Sequence, residues 1–157
     1  MNNIIYETEN FVAEAVLKPH VSREEGGHIK ISAKEIYLES RTDLTPSLAK
    51  EVFRLTMIVG EAMKLALINR GIKIVRINYQ EMGNWAYKKN TKPYFHIHLY
   101  GRASDAKVQK WPESVYLPDR STGFYDSFVP LNEEDILEIQ KQIDVLLLND
   151  KYNVSEW

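Results

Sequence analysis

Four histidines, His20, His28, His96 and His98, carry most of the chemistry this sequence can offer. His96 and His98 lie two apart in Tyr94-Phe95-His96-Ile97-His98-Leu99-Tyr100, a run with the aromatic and β-branched content of a strand. Residues two apart on a strand share a face. The two imidazoles therefore stand side by side, flanked by Tyr94 and Tyr100, while Phe95, Ile97 and Leu99 fill the other face. Neighbouring imidazoles repel when charged, so an ordinary surface seldom keeps such a pair. Two chemistries fit. One is a metal site with His28 or His20 as a third ligand. The other is nucleophilic catalysis, in which one imidazole attacks an electrophile and its neighbours set its tautomer.

The elements that must hold these residues are legible in outline. Ile4 to Tyr6 and Phe11 to Val16 form two strands around the polar turn 7–10, and 18–27 is a loop with Pro19, Gly26 and Gly27. His28 to Ser32 alternates, with Ile29 and Ile31 facing in. Thr45 caps a long helix with Pro46 at its first position; Leu48, Val52, Leu55, Val59, Ala62 and Ala66 form its apolar stripe, and Gly71 stops it. Strands follow at Ile72 to Tyr79 and Tyr94 to Gly101, separated by a polar loop over 80–93. The stretch 102–130 is irregular but rich in aromatics, which predicts that it packs on the body of the protein. Asn132 caps a last helix, with Glu133, Glu134 and Asp135 in its first turn and Leu131 and Ile136 placed as a hydrophobic staple. The order implies an α+β fold with an antiparallel sheet, one long central helix and a C-terminal helix.

The 157 residues (18.3 kDa) suit one domain. A net charge of −2 and a pI near 6.1 leave no global field for extended nucleic acid, although a local basic patch remains open. With no cysteine, disulfides, thiolate metal sites and cysteine nucleophiles are excluded. Met1-Asn2-Asn3-Ile4-Ile5 lacks the basic start and apolar run of a signal peptide, and 55–68 is too short and too charged to span a bilayer; a cytoplasmic location is expected.

Phe95-His96-Ile97-His98-Leu99-Tyr100-Gly101-Arg102 resembles the signature of the histidine triad (HIT) superfamily, in which three histidines alternate with apolar residues. Ile4 to Ala13 resembles the family's opening hairpin. Gly27-His28-Ile29-Lys30-Ile31-Ser32-Ala33-Lys34 resembles its Gly-His strand, and Leu44-Thr45-Pro46 its helix start. These pieces occur in the family's order over 4–103, which marks the core of a domain spanning 1–157, with 104–157 as an extension packed on it. The resemblance implies nucleotide hydrolysis or nucleotidyl transfer, in which the middle histidine attacks the α-phosphorus of a nucleotide conjugate. On that alignment His98 is the attacking residue, His96 the first of the triad and His28 the upstream histidine. No metal or cofactor is required, and most compact members are homodimers paired through the first helix and a neighbouring strand. Phe53, Met57 and Met63, partly outside the apolar stripe, would then find a cover.

The sequence departs from the pattern at several points. Tyr100 occupies the third triad position, where a hydroxyl could donate to phosphate or leaving group. The family's ribose-binding acid falls on Val16, with Glu14 on the same strand face as a substitute. Lys92 and Pro93 stand where phosphate-contacting residues are usual. Lys88, Lys89 and Lys92, with Arg102, form a candidate cationic rim; Asn78 is a candidate substrate contact, and Trp85 and Tyr87 could stack on a base. His20 matches no family position and is expected to be a loop residue. A nucleotide- or metal-binding protein without turnover is the competing reading. A cupin-like metalloenzyme lacks the glutamate it needs within 101–105.

Overall fold

The computed structural model describes residues 3–157; Met1 and Asn2, the first two residues of the start tested above for a signal peptide, lie outside the described residues. Strands β1 (Ile4–Glu7), β2 (Phe11–Ala15), β3 (His28–Ala33), β4 (Ile74–Glu81) and β5 (His96–Ala103) form one antiparallel sheet in the order β1-β2-β3-β5-β4. Helix α1 (Pro46–Asn69) precedes β4, a short α2 (Asn84–Lys88) lies between β4 and β5, and α3 (Glu133–Leu147) packs against α1.

The period of the strands divides the sheet into two chemically different faces. Phe11, Ala13, Ala15, Ile29, Ile31, Ile97 and Leu99 point to one side and are buried against Val52, Leu55, Val59, Ala62 and Ala66 of α1 and Ile136, Ile139 and Ile143 of α3. The antiparallel register sets the composition of the other side. Lys30 faces His98, His28 faces Tyr100, Ser32 faces His96, and Glu14 faces Lys30. Partners across an antiparallel pair share a face, so polar and imidazole groups collect there in a block.

Both long helices start as expected. The Thr45 hydroxyl accepts from the Leu48 amide at 3.3 Å, and Asn132 and Asp135 form a reciprocal capping box. Several boundaries differ. The chain before β5 is drawn away from the sheet by the Phe95 amide, which donates to the Leu38 carbonyl at 2.7 Å, so the strand begins at His96. The loop 80–93 contains α2. Met63 is fully buried and Met57 packs on the core, which leaves Phe53 as the exposed member of that trio.

The 104–130 segment has little regular structure, yet hydrogen bonds fasten it to the site. Glu25 accepts from the amides of Lys107, Val108 and Gln109 at 2.6 to 2.8 Å, and the Gln109 carboxamide donates to the His20 carbonyl at 2.8 Å. Arg23 and Arg70 converge on the buried Asp135, at 2.8 and 3.0 Å, and tie the β2–β3 loop to α3 and to the end of α1. Gly26 and Gly101 touch backbone to backbone. A Cβ on Gly26 would stand 2.3 Å from the Gly101 carbonyl, so only glycine permits the approach that sets the start of β3 beside β5.

Candidate functional site

The polar face of the sheet forms the floor of a cavity of about 730 Å³, within the size range of small-molecule sites. His28, His96 and His98 belong to it, as parity of the strands requires. His20 joins them from the β2–β3 loop: it is buried, its ring stacks on His28 at 5.0 Å, and it touches the edge of Trp85 at 5.5 Å. His20 is the loop residue expected from the sequence, and Gln109 and the Glu25 contacts hold its loop over the sheet, which brings the ring into the cluster.

The hydrogen bonds determine which ring nitrogens carry protons. The backbone N–H of His20 donates to Nδ1 of His28 at 3.1 Å, so that nitrogen offers a lone pair. The proton of a neutral His28 is then on Nε2, which donates to Nδ1 of His98 at 2.8 Å. His98 in turn holds its proton on Nε2. His96 has the opposite tautomer: its Nδ1 lies 2.8 Å from the Tyr94 carbonyl, which can only accept. Burial pushes all four imidazoles below their ordinary range. His20 falls to about 4 with help from Arg120, and His98 to about 3 with help from His96 and His20. His28 lies well below that range and His96 is lowered too, burial being the first cause in both. The cluster is neutral at physiological pH.

The donor set does not suit a metal. Ring nitrogens of His20, His28 and His98 lie within 4.8 Å of one another. A metal-ligating neutral imidazole keeps its proton on the other nitrogen, and in His28 that nitrogen faces the His20 N–H. Ligation through Nε2 would bring two N–H groups head to head or require an imidazolate.

The cationic wall differs from the expected rim. Lys89 and Lys92 line the cavity, as do Glu14 and its ion-pair partner Lys30, 3.4 Å away. Lys88 is not among the lining residues and pairs with Asp119 at 2.8 Å. Arg102 is buried beneath the 104–117 segment. Its guanidinium donates to the carbonyls of Gln109, Lys110 and Glu113 and to the Asn78 side chain at 2.8 Å. Arg102 and Asn78 thus engage each other rather than the cavity. Tyr87 is largely exposed and outside the cavity wall, whereas Trp85 is in it.

Tyr100 is fully buried and absent from the cavity wall. Its ring stacks on His98 at 5.6 Å, and its hydroxyl lies 2.9 Å from Nδ1 of His20. Burial raises the hydroxyl above its ordinary range, so it stays protonated and shares its hydrogen bond with His20. It is not presented to a phosphate or leaving group, which corrects that expectation.

Lys30 and Arg120 complete the wall and were not singled out from sequence. Lys30 had a signal, since it shares strand parity with His28. Arg120 had none: it reaches the site by donating to the Lys18 carbonyl at 2.7 Å and lying over the rings of Tyr125 and Trp85.

No protein-family model matches the sequence, and no curated protein matches it. Solved structures do match the fold. A histidine triad protein from Bradyrhizobium japonicum superposes with a TM-score of 0.61 at 14% identity, over 90% of each chain. A hypothetical histidine triad nucleotide-binding protein from Sulfolobus tokodaii gives 0.58 at 14%, over 94% of this chain and 87% of the other. A zinc-bound histidine triad family protein from Mycobacterium smegmatis gives 0.57 at 18%, over 93% and 86%. The fold is that of histidine triad proteins, and the likeness extends past β5 into the C-terminal segment.

Proposed function

We propose that the protein hydrolyses a nucleoside phosphate conjugate, or transfers its nucleotidyl group, through a nucleotidyl-histidine intermediate. One observation carries the reading: neutral imidazoles on a sheet floor open into a cavity whose walls hold Lys30, Lys89, Lys92 and Arg120. Neutral imidazole is nucleophilic near pH 7, and fixed cations stabilise phosphate charge in the transition state. Trp85 offers a ring for a base, and Glu14 a carboxylate for a ribose hydroxyl. By resemblance the attacking residue is His98, with His96 and His28 beside it. The Sulfolobus relative's description as nucleotide-binding agrees with the substrate class.

The competing reading is a nucleotide-binding protein without turnover. Its metal-binding version is disfavoured by the His28 tautomer. Intact-protein mass spectrometry after exposure to nucleoside phosphoramidates and dinucleoside polyphosphates separates the two. A nucleotidyl adduct or released mononucleotide supports the enzyme; binding of the whole panel with neither product establishes the binding protein.

The proposal includes a homodimer. Strand β4 is a sheet edge with Val75 and Tyr79 exposed, and Phe53 is exposed on α1; light scattering that returns the monomer mass at micromolar concentration would reject it. It also includes a cytoplasmic location, consistent with the cysteine-free chain. No helix among the described residues is long and apolar enough to cross a membrane.

A further inference from the structure

We propose that the cavity is entered through a latch on its rim, formed by the Lys88–Asp119 ion pair and the Arg120–Trp85 contact, and that an anionic ligand with a planar ring releases it. The ligand class rests on the nucleotide reading; the latch itself does not. Two segments distant in the chain meet at the cavity. Trp85, Ala86 and Lys89 of the α2 segment line it from one, and Leu117 and Arg120 of the irregular segment from the other. Lys88 lies outside the wall. Its ammonium pairs with Asp119 at 2.8 Å, with the two side chains 60% and 44% exposed. The pair thus bridges the two segments on the solvent side of the rim.

The α2 segment has no other polar tether. Among the described residues, the hydrogen bonds of 84–91 stay within 83–91, apart from the one Lys88 donates to Asp119. The opposite side is anchored. The Arg120 guanidinium donates to the Lys18 carbonyl at 2.7 Å and lies 4.9 Å from the centre of the Tyr125 ring. The Asp119 carboxylate accepts from the Ser121 amide at 3.0 Å and from its hydroxyl at 2.8 Å. Trp85 comes to 6.0 Å from the same guanidinium, the outer limit of a cation–π contact, and meets the edge of His20.

One jaw is therefore fixed, and the other is held across the rim by individually weak contacts. An exposed ion pair contributes little and is screened by salt. Opening α2 breaks no backbone hydrogen bond to the rest of the protein. A ligand with an anionic group and a planar ring replaces what opening gives up inside the cavity: the anion takes the Arg120 guanidinium, and the ring takes the face of Trp85. The Lys88–Asp119 pair re-forms as α2 closes behind it.

The chain lacks cysteine, so a cross-link between Lys88→Cys and Asp119→Cys is unique. A bis-maleimide with a reducible spacer gives the bridged and released states of one variant, which cancels the effect of losing the Asp119 carboxylate. Association of AMP, followed by stopped-flow fluorescence, should be about 10- to 10³-fold slower when bridged and recover on reduction. Acrylamide, a neutral quencher, reads the latch without a ligand. With Trp111→Phe and Trp157→Phe as background, Lys88→Met should raise quenching of Trp85, through an open-to-closed ratio about 1.5- to 5-fold higher. Raising salt from about 0.02 to 0.5 M should raise quenching when Lys88 is present and add nothing to Lys88→Met. Should the background substitutions unfold the protein, the ¹⁹F solvent-isotope shift of 5-fluorotryptophan-labelled wild type, assigned through Trp85→Phe, reads the same opening. A Trp85 signal indifferent to both Lys88→Met and salt overturns the latch. A signal that responds, with AMP entering the bridged form at full rate, refutes its place on the entry route. No AMP binding by any form refutes the nucleotide reading and the ligand class, and the Trp85 signal still decides the latch.

Discussion

Replacing Tyr100 by phenylalanine separates a packing role from an acid role, because the two give opposite patterns. The hydroxyl lies 2.9 Å from Nδ1 of His20, and both residues are buried. Removing it leaves a buried ring nitrogen without its hydrogen-bond partner, at a cost of about 1–3 kcal/mol. For a domain of this length each kcal/mol lowers Tm by about 2–4 °C, so a fall of roughly 2–12 °C is expected by calorimetry. The hydroxyl does not reach the cavity wall, so kcat/KM on a dinucleoside polyphosphate should change by less than about tenfold. A leaving-group acid at this position would instead cost about 10²–10⁴-fold in rate. A loss of that size with an unchanged Tm would refute the geometry described here. Tyr100→His, which the family pattern would favour, should leave the dependence on leaving group unaltered, since position 100 lies outside the cavity wall.

Acid should weaken the fold through the histidine cluster. The unfolded chain takes up protons at His20 and His98 near the ordinary value of about 6.5, whereas the folded chain does so only near about 4 and 3. Stability is complete above the unfolded value and declines as pH falls from there toward the folded ones; urea midpoints at about pH 7.5 and 5 should show the drop, and His20→Gln should reduce it. Gly26→Ala and Gly101→Ala each place a Cβ within 2.3 Å of backbone across the glycine contact, so both should lose several kcal/mol in thermal denaturation. Arg102→Met leaves the carbonyls of Gln109, Lys110 and Glu113 without their donor. It should speed hydrogen exchange over 104–117 with little change in nucleotide affinity; weakened affinity with unchanged exchange would return Arg102 to the binding site.

Local periodicity made a large part of this site legible in the sequence. Alternation put His96 and His98 on one face with Tyr100, and the Gly-His strand put His28 beside them; both follow from the two-residue period of a strand. The Thr45-Pro46 and Asn132–Asp135 signals located both long helices because caps act within one turn. The missed features depend on contacts far apart in the chain. His20 is held by Gln109, eighty-nine residues later. Arg102 has the parity of the histidines, but the 104–117 segment covers it, and alternation cannot report what lies over a face. Lys88 was expected at the rim, yet Asp119 takes its charge.

The orientation of the chemistry follows from one backbone amide. The His20 N–H meets His28 and fixes its tautomer, His28 fixes that of His98, and both rings are too buried to escape by protonation. His96 stands outside this chain because it answers to its own strand, through the Tyr94 carbonyl. Two imidazoles on adjacent positions of one face, alike in sequence, thereby become a donor and a lone pair. The loop that carries His20 is held by Glu25, Gln109 and the Arg23–Asp135 pair, so the segment after β5 sets these tautomers without lining the floor of the site. A displaced loop would free His28 to turn its proton toward Nδ1, and His98 could then carry charge. Neutrality and tautomer are therefore one property of the fold, set by the packing of 104–117 on the β2–β3 loop.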